Sequence, residues 1–425
     1  MDRKLVACSV VLLVACLHLS VSAASDAQLK SLYANKQYFD LRDALLTRGS
    51  DRSAELLFYR AVVSNKFNQP QASINFIQNY LERSKGINAA EFVRDSYELL
   101  ADNHVKTYEY RKAAEAYRTL LAKFGRGLDA KKVEDLENSA RLCGALSGVP
   151  RQSVTHGENS RIGTTTNALK LTELPVEVNG RKHAFIFDTG ANFSTASYSF
   201  ARKLGFKIIE ARIKVGAING NNVTARLGVA PTLGIGNTII NNVVFLVFED
   251  KDLYVAPVKY QITAIIGFPV IEGLKEISFH RNGEVFISAK RRSGGEQNMA
   301  LDGLTPVLAG EFRGKRLTFT FDTGANRTNL YPPFFRAYEQ EIRNRYAPHT
   351  ERLAGTGGVQ EISAYRIRDL EMKFSGKVVR FTEVTVLTEP TLGKSRYFYG
   401  NLGQDLVQQF EEMTLNFEAM SVVFQ

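Results

Sequence analysis

The sequence predicts a multidomain chain: an N-terminal all-α helical repeat region, then an all-β body made of two similar lobes. Three observations predict it. From about residue 26 to residue 148, apolar residues recur with a period near that of an α-helix. From Ala168 the pattern becomes that of strands, with Val, Ile, Phe and Thr frequent and turns such as Asn179-Gly180 and Asn282-Gly283 between them. Within that β body a hexapeptide occurs twice, as Phe187-Asp188-Thr189-Gly190-Ala191-Asn192 and as Phe321-Asp322-Thr323-Gly324-Ala325-Asn326. With ordinary residue frequencies, such a repeat has chance odds on the order of one in a few hundred.

Composition narrows the class. Of 425 residues, 44% are hydrophobic and 23% charged, which is globular usage and excludes a disordered or collagenous chain. The net charge of +10 is spread along the chain with no dense Lys/Arg block, so no nucleic-acid partner is expected. Cys8 and Cys16 lie in the N-terminal segment, leaving Cys143 alone in the body. One cysteine makes neither a disulfide framework nor a zinc cluster, and Cys143 is expected to be a buried helix residue.

The elements follow in order. Residues 1–23 carry Arg3 and Lys4, an apolar run from Leu5 to Leu19, and Val21-Ser22-Ala23. This is the pattern of a secretory signal peptide cleaved after Ala23; the run is short for a spanning anchor. Leu13-Val14-Ala15-Cys16 also resembles a bacterial lipobox, in which Cys16 would be a lipid anchor. Either way the body is exported, to the periplasm or cell envelope or beyond. Residues 26–148 predict helices over 28–47, 52–67, 70–84, 90–107, 111–124 and 131–146. Tyr97, Leu100, Ala101, Tyr110, Ala113 and Tyr117 fall where a tetratricopeptide repeat places its large and small packing residues, with a weaker copy around Ala61, Phe67, Ala72 and Phe76. A plain helical bundle is the alternative. Such a region would dock a peptide or protein, or pack on its neighbour. Residues 149–169 lose periodicity and are rich in Gly, Ser, Thr and Asn, which predicts a linker.

The first lobe is expected over 170–290 and the second over 298–425, joined at Arg291-Arg292-Ser293-Gly294-Gly295. Gly180 and Gly314 precede the two Asp at the same distance, each followed by two basic residues. Helix-like stretches follow at Tyr198–Leu204 and Pro333–Arg343. Glycine-rich hairpins come next, with Gly216 and Gly220 in the first and Gly355 and Gly357 in the second. Each half closes on a step into glycine, Ala264-Ile265-Ile266-Gly267 and Gly400-Asn401-Leu402-Gly403. In the second step Asn401 stands where the first has Ile265.

On these residues the two lobes resemble aspartic proteases of the pepsin and retropepsin group. The Asp-Thr-Gly triplet and the later hydrophobic–Gly step are that group's paired signature. The resemblance covers the two lobes, about 60% of the chain, and is to bacterial exported proteins in which two retropepsin-like lobes follow helical repeats. The resemblance implies an aspartic endopeptidase acting on protein or peptide substrates. Asp188 and Asp322 would be its dyad, and Thr189, Gly190, Thr323 and Gly324 would support it. Gly216, Gly220, Gly355 and Gly357 would belong to flaps that close over substrate.

The chemistry explains the residue types. Two carboxylates that close cannot both ionise, so they share a proton and hold one water. One is general base and the other general acid, and sequence leaves open which is which. Gly permits the loops' close approach. Ala191 and Ala325 stand where many relatives carry a hydroxyl that bonds the carboxylate, so a mildly acid to neutral optimum is expected. No cofactor and no metal is implied: a P-loop, a His-Glu-x-x-His and a Gly-x-Ser-x-Gly are all missing. Asn192-Phe-Ser194 and Asn326-Arg-Thr328 match glycosylation sequons inside the proposed catalytic loops. The alternatives are a catalytically inert or narrowly gated protease-like scaffold, and lobes that pair between two chains.

Overall fold

The computed structural model describes residues 23–49, 53–84, 90–216, 222–290, 295–355, 358–391 and 393–425. A helical N-terminal region is followed by a β-rich region. Helices are α1 (Asp26–Ala34), α2 (Tyr38–Leu46), α3 (Ala54–Lys66), α4 (Pro70–Arg83), α5 (Ala90–Lys106), α6 (Tyr110–Phe124) and α7 (Ala130–Ala145).

The single helix expected over 28–47 is two. Lys36 takes φ +53°, the Gln37 N–H donates to the Leu32 carbonyl at 2.9 Å, and the Lys36 N–H donates to Tyr33 at 3.0 Å. That pair of bonds is the Schellman way of satisfying a helix's last carbonyls. The same device ends α3 at Asn68 (φ +57°) and α5 at Tyr108 (φ +58°), with Gln69 bonding Ser64 and Glu109 bonding His104. Three helix hairpins are thus joined by one three-residue loop form. Small residues let the pairs close up: Ala61, Ala101 and Ala113 are fully buried.

The stretch 149–169, expected as a linker, is built into the β region. Ser153–His156 pairs antiparallel with Thr238–Phe248, Ser160–Gly163 with Glu284–Ile287, and Thr165–Thr166 with Thr172–Val178. These strands are short and polar because they lie on sheet edges or half-exposed faces, where no apolar alternation is required.

Among the described residues the first β half forms a nine-stranded sheet and the second an eight-stranded one. Both open on the same hairpin. Thr172–Val178 turns at Asn179-Gly180 into Arg181–Phe187, and Thr305–Phe312 turns at Arg313-Gly314 into Lys315–Phe321. Both residues of each turn have positive φ, the geometry that matches strand twist in a two-residue hairpin. A third, five-stranded sheet takes strands from both halves, in the order Ser160–Gly163, Glu284–Ile287, Glu276–His280, Glu412–Asn416, Ser421–Phe424. It ties the halves together through the antiparallel pairing of Glu276–His280 with Glu412–Asn416.

The helices are packed onto the β region, not strung from it. Tyr38, Phe39 and Phe67 belong to the same apolar core as Phe187, Phe321 and Phe398. Around that seam, Lys36 Nζ and the Tyr38 hydroxyl meet the Asp302 carboxylate at 2.9 and 2.7 Å, and Arg316 reaches Asp40 and Asp43 at 2.9 and 2.8 Å. At the other end, α7 clasps the strand Lys207–Gly216. The Asn138 amide donates to the Lys214 carbonyl and accepts from the Lys214 N–H, both at 2.8 Å.

Candidate active site

Each Asp-Thr-Gly loop leaves the end of a buried strand. Phe187 and Phe321 are fully buried, which anchors the loops from below. The Asp188 N–H donates to the Ile266 carbonyl at 3.1 Å and the Asp322 N–H to Leu402 at 3.0 Å. Each loop is therefore held by the strand of its own closing step. The glycine of that step lets the loop lie against it. A β-carbon on Gly267 would strike the Phe193 carbonyl carbon at 2.5 Å, and one on Gly403 the Arg327 carbonyl carbon at 2.7 Å.

The two loops interlock through their threonines, both buried. The Thr189 N–H donates to Thr323 Oγ1 and the Thr323 N–H to Thr189 Oγ1, each at 3.0 Å. The Thr189 hydroxyl donates to the Phe321 carbonyl at 2.9 Å, and the Thr323 hydroxyl to the Phe187 carbonyl at 2.8 Å. Four reciprocal bonds about a local twofold leave the two carboxyls facing each other. Gly190 and Gly324 make the approach possible: a β-carbon on Gly190 would lie 2.6 Å from the Asp322 Cγ, and one on Gly324 would overlap the Asp188 carboxyl.

Asp188 Oδ1 accepts from the Gly190 N–H at 2.8 Å and the Ala191 N–H at 3.1 Å; Asp322 Oδ1 accepts from the Gly324 N–H at 2.9 Å. Both residues keep part of their surface open, while the carboxyl of Asp188 is packed about with protein atoms. Burial pushes Asp188 well above the usual carboxylate range. The Asp322 charge and a hydrogen bond with that carboxyl push the same way, against the two backbone N–H donors. Two carboxyls so placed can hold one proton between them.

Sequence reasoning missed three residues that touch these loops. Asn401 donates its amide N–H to Asp322 Oδ2 at 3.1 Å, and its Oδ1 accepts from the Thr320 hydroxyl at 2.6 Å. Gln404 donates to the Thr323 carbonyl at 2.9 Å. Asp405 accepts from the Thr328 N–H and hydroxyl at 2.9 and 2.6 Å, pinning the end of the second loop. The available signal was the polarity of Asn401-Leu402-Gly403-Gln404-Asp405 where the first half reads Ile265-Ile266-Gly267-Phe268-Pro269. Asn192, from the first sequon, is exposed and accepts from the Thr305 hydroxyl of the second half at 3.1 Å.

Of the hairpin glycines, Gly216 ends the strand Lys207–Gly216 and is exposed, and Gly355 pairs with Gly358. Gly220 and Gly357 lie outside the described residues, as do Cys16, residues 1–22 and most of the expected joint at 291–295. Cys143 is buried in α7, and burial pushes its thiol up to about 12. Among the described residues no group of three or more His, Cys, Asp or Glu side chains could hold a metal ion. No helix among them is long and apolar enough to cross a membrane.

A family model described as aspartyl protease matches residues 174–270. The match begins in the strand before Arg181–Phe187 and ends just past Gly267, so it holds Asp188, Thr189 and Gly190 together with the closing step. Over that segment the first half is similar to an aspartyl protease domain, a family that acts on protein or peptide substrates. The second half, with Asp322, lies outside the matched segment. No curated protein matches the chain.

Proposed function

We propose that this chain is an aspartic endopeptidase with two pepsin- or retropepsin-like lobes, in which Asp188 and Asp322 form one intrachain dyad. The observation that carries the reading is the reciprocal bonding of Thr189 and Thr323, which brings one carboxyl from each half into hydrogen-bonding reach of the other. A shared proton and a held water are what peptide hydrolysis without a covalent intermediate requires. The hairpins ending at Gly216 and Gly355 are the flaps of this proposal, closing over an extended peptide. The helical region reads as tetratricopeptide-like, and its three matching loops support that. Residues 1–23 are proposed as an export signal; the mass of the mature chain from a bacterial host distinguishes a start at Ala24 from a lipidated Cys16.

A narrower version is favoured by one observation. The α7 clasp on Lys207–Gly216 ties the first hairpin to the helices, which suits an enzyme whose substrate docks there before the hairpin moves.

The test is cleavage of a peptide mixture and of fluorescein-labelled casein from pH 3 to 8 by the mature chain, beside Asp188→Asn and Asp322→Asn. Cleavage by the wild type that is lost in both variants is expected. Cleavage that persists in either variant overturns the dyad.

A further inference from the structure

The two halves of the candidate site differ at Phe268/Gln404, at Pro269/Asp405 and in the Ala191 N–H that Asp188 alone accepts, and one further pair of positions changes a side chain that touches a carboxyl. In the first half the strand under the dyad pairs Ile186 with Ile265 of the closing step; in the second the same pairing joins Thr320 and Asn401. Two apolar partners are thus replaced by two polar ones, on one side only. The polar pair is oriented. Thr320 is buried, and its hydroxyl donates to Asn401 Oδ1 at 2.6 Å with the Gly400 carbonyl at 3.2 Å as a second acceptor. Since the amide oxygen is engaged there, the amide NH2 is the end that faces Asp322 Oδ2, at 3.1 Å. Asp322 Oδ2 is the oxygen left over once the Gly324 N–H has taken Oδ1.

We infer that Asn401, oriented by Thr320, is a positioning residue that keeps the negative charge of the dyad on Asp322 and the shared proton on Asp188. Resting on the dyad reading, this assigns the roles that symmetry leaves open. A hydrogen bond donated to a carboxylate stabilises the charged form and does nothing comparable for a protonated one. Asp188 has no side-chain donor in the equivalent place, because Ile265 stands there. The raised position of Asp188 agrees in direction.

The proton then moves in a definite order. Asp322 takes a proton from the held water as its oxygen bonds to the scissile carbonyl carbon, and Asp188 gives its proton to the carbonyl oxygen, leaving a neutral gem-diol. As the C–N bond breaks, the Asp322 proton passes to the leaving nitrogen, and one gem-diol hydroxyl returns a proton to Asp188. The dyad ends as it began, and water has been added across the peptide bond.

Among the described residues, Asp188 and Tyr331 are titratable groups that feel the Asp322 charge. Burial first, then the Asp322 charge, holds the Tyr331 phenol far above its ordinary value, so it stays neutral through the working range. The pH behaviour therefore belongs to the two carboxyls.

The experiment uses the full mature chain with 13C-labelled Asp carboxyls, titrated by NMR, which needs no turnover. Asn401→Leu removes the donor at similar volume, and Thr320→Val removes the hydroxyl that aims it. In the Asp188→Asn background, Asn401→Leu is expected to raise the Asp322 titration by about one to two pH units, the worth of a hydrogen bond to a charged group. Thr320→Val should move it the same way by less. In the Asp322→Asn background, Asn401→Leu is expected to leave Asp188 in place, which a general loosening of the site would not do. In the otherwise wild-type chain, the acid limb of kcat/KM for casein cleavage should rise in step. Equal shifts in both backgrounds, or none in the Asp188→Asn background, overturn the role of Asn401 and leave the dyad standing. Two carboxyls that titrate independently in the ordinary range in the wild type overturn the dyad itself.

Discussion

Thr323→Val tests the interlock on which the geometry of the two carboxyls depends. The change keeps the branched shape and removes one hydroxyl. That hydroxyl accepts from the Thr189 N–H at 3.0 Å and donates to the Phe187 carbonyl at 2.8 Å. Thr189, Thr323 and Phe187 are all buried, so neither backbone group regains a water partner. Leaving one buried polar group unpaired costs roughly 1–3 kcal/mol. Two of them make about 2–6 kcal/mol, a large share of a folding free energy that is typically about 5–15 kcal/mol. Thr323→Ser keeps the hydroxyl and loses one methyl, which costs about 1 kcal/mol. The assay is urea unfolding of all three chains, followed by circular dichroism at neutral pH, with casein cleavage measured on the folded samples. The expected order is wild type, then Ser, then Val well below, with cleavage lost in Val and largely kept in Ser. Val and Ser variants of equal stability would refute the reasoning, because the hydroxyl would then contribute nothing beyond its methyl.

Further expectations concern the same loops and their surroundings. Because Asp188 is raised in the folded state, the favourable proton uptake it brings is fully present below its unfolded value of about 4 and is lost as pH rises through the folded value. Asp188→Asn should therefore melt at a higher temperature than wild type at pH 7, with the gap closing towards pH 4; a lower melting temperature at pH 7 counts against the like-charge argument. Gly324→Ala places a β-carbon on the Asp188 carboxyl, and displacing a reacting group by about 1 Å costs about a hundredfold in rate, so casein cleavage should fall at least that far. Asn138→Ala removes both bonds to Lys214, and amide exchange along Lys207–Gly216 should quicken by roughly five- to thirtyfold, at about 1–2 kcal/mol, while Pro348–Gly355 stays unchanged.

The helical region, the β-rich region and the repeated loops were legible in the sequence because period, turn residues and an identical hexapeptide each carry their own signal. What stayed hidden was set by contacts between distant segments. The break at Asn35-Lys36-Gln37 was invisible because a lysine holds the left-handed position that glycine usually marks. Two of the strands within 149–169 were hidden because their pairing partners, Thr238–Phe248 and Glu284–Ile287, lie far along the chain and ask little of the side chains on exposed faces, and the third, Thr165–Thr166, is only two residues long. Asn401 was visible as a departure from an apolar pattern, but its meaning depends on Thr320 lying beside it across a parallel pair, which no spacing reveals. The joining of helices and β region into one core, through Tyr38, Phe39 and Phe67, likewise has no local signature. It also means that deleting the helices would strip apolar surface from the β region, so a deletion reads out stability along with docking.

The five-stranded sheet has a further consequence. It pairs two β halves that one covalent chain carries, so they need not be copies of each other. A site formed by two identical chains about a twofold axis must present every residue twice, so an amide beside one carboxyl would come with an amide beside the other. Here Ile265 and Asn401 are separate positions and can drift apart. The chain also needs no second molecule to bring Asp188 and Asp322 together, so their meeting is indifferent to dilution. Fusion thus relieves the carboxyl pair both of a concentration threshold and of enforced equality.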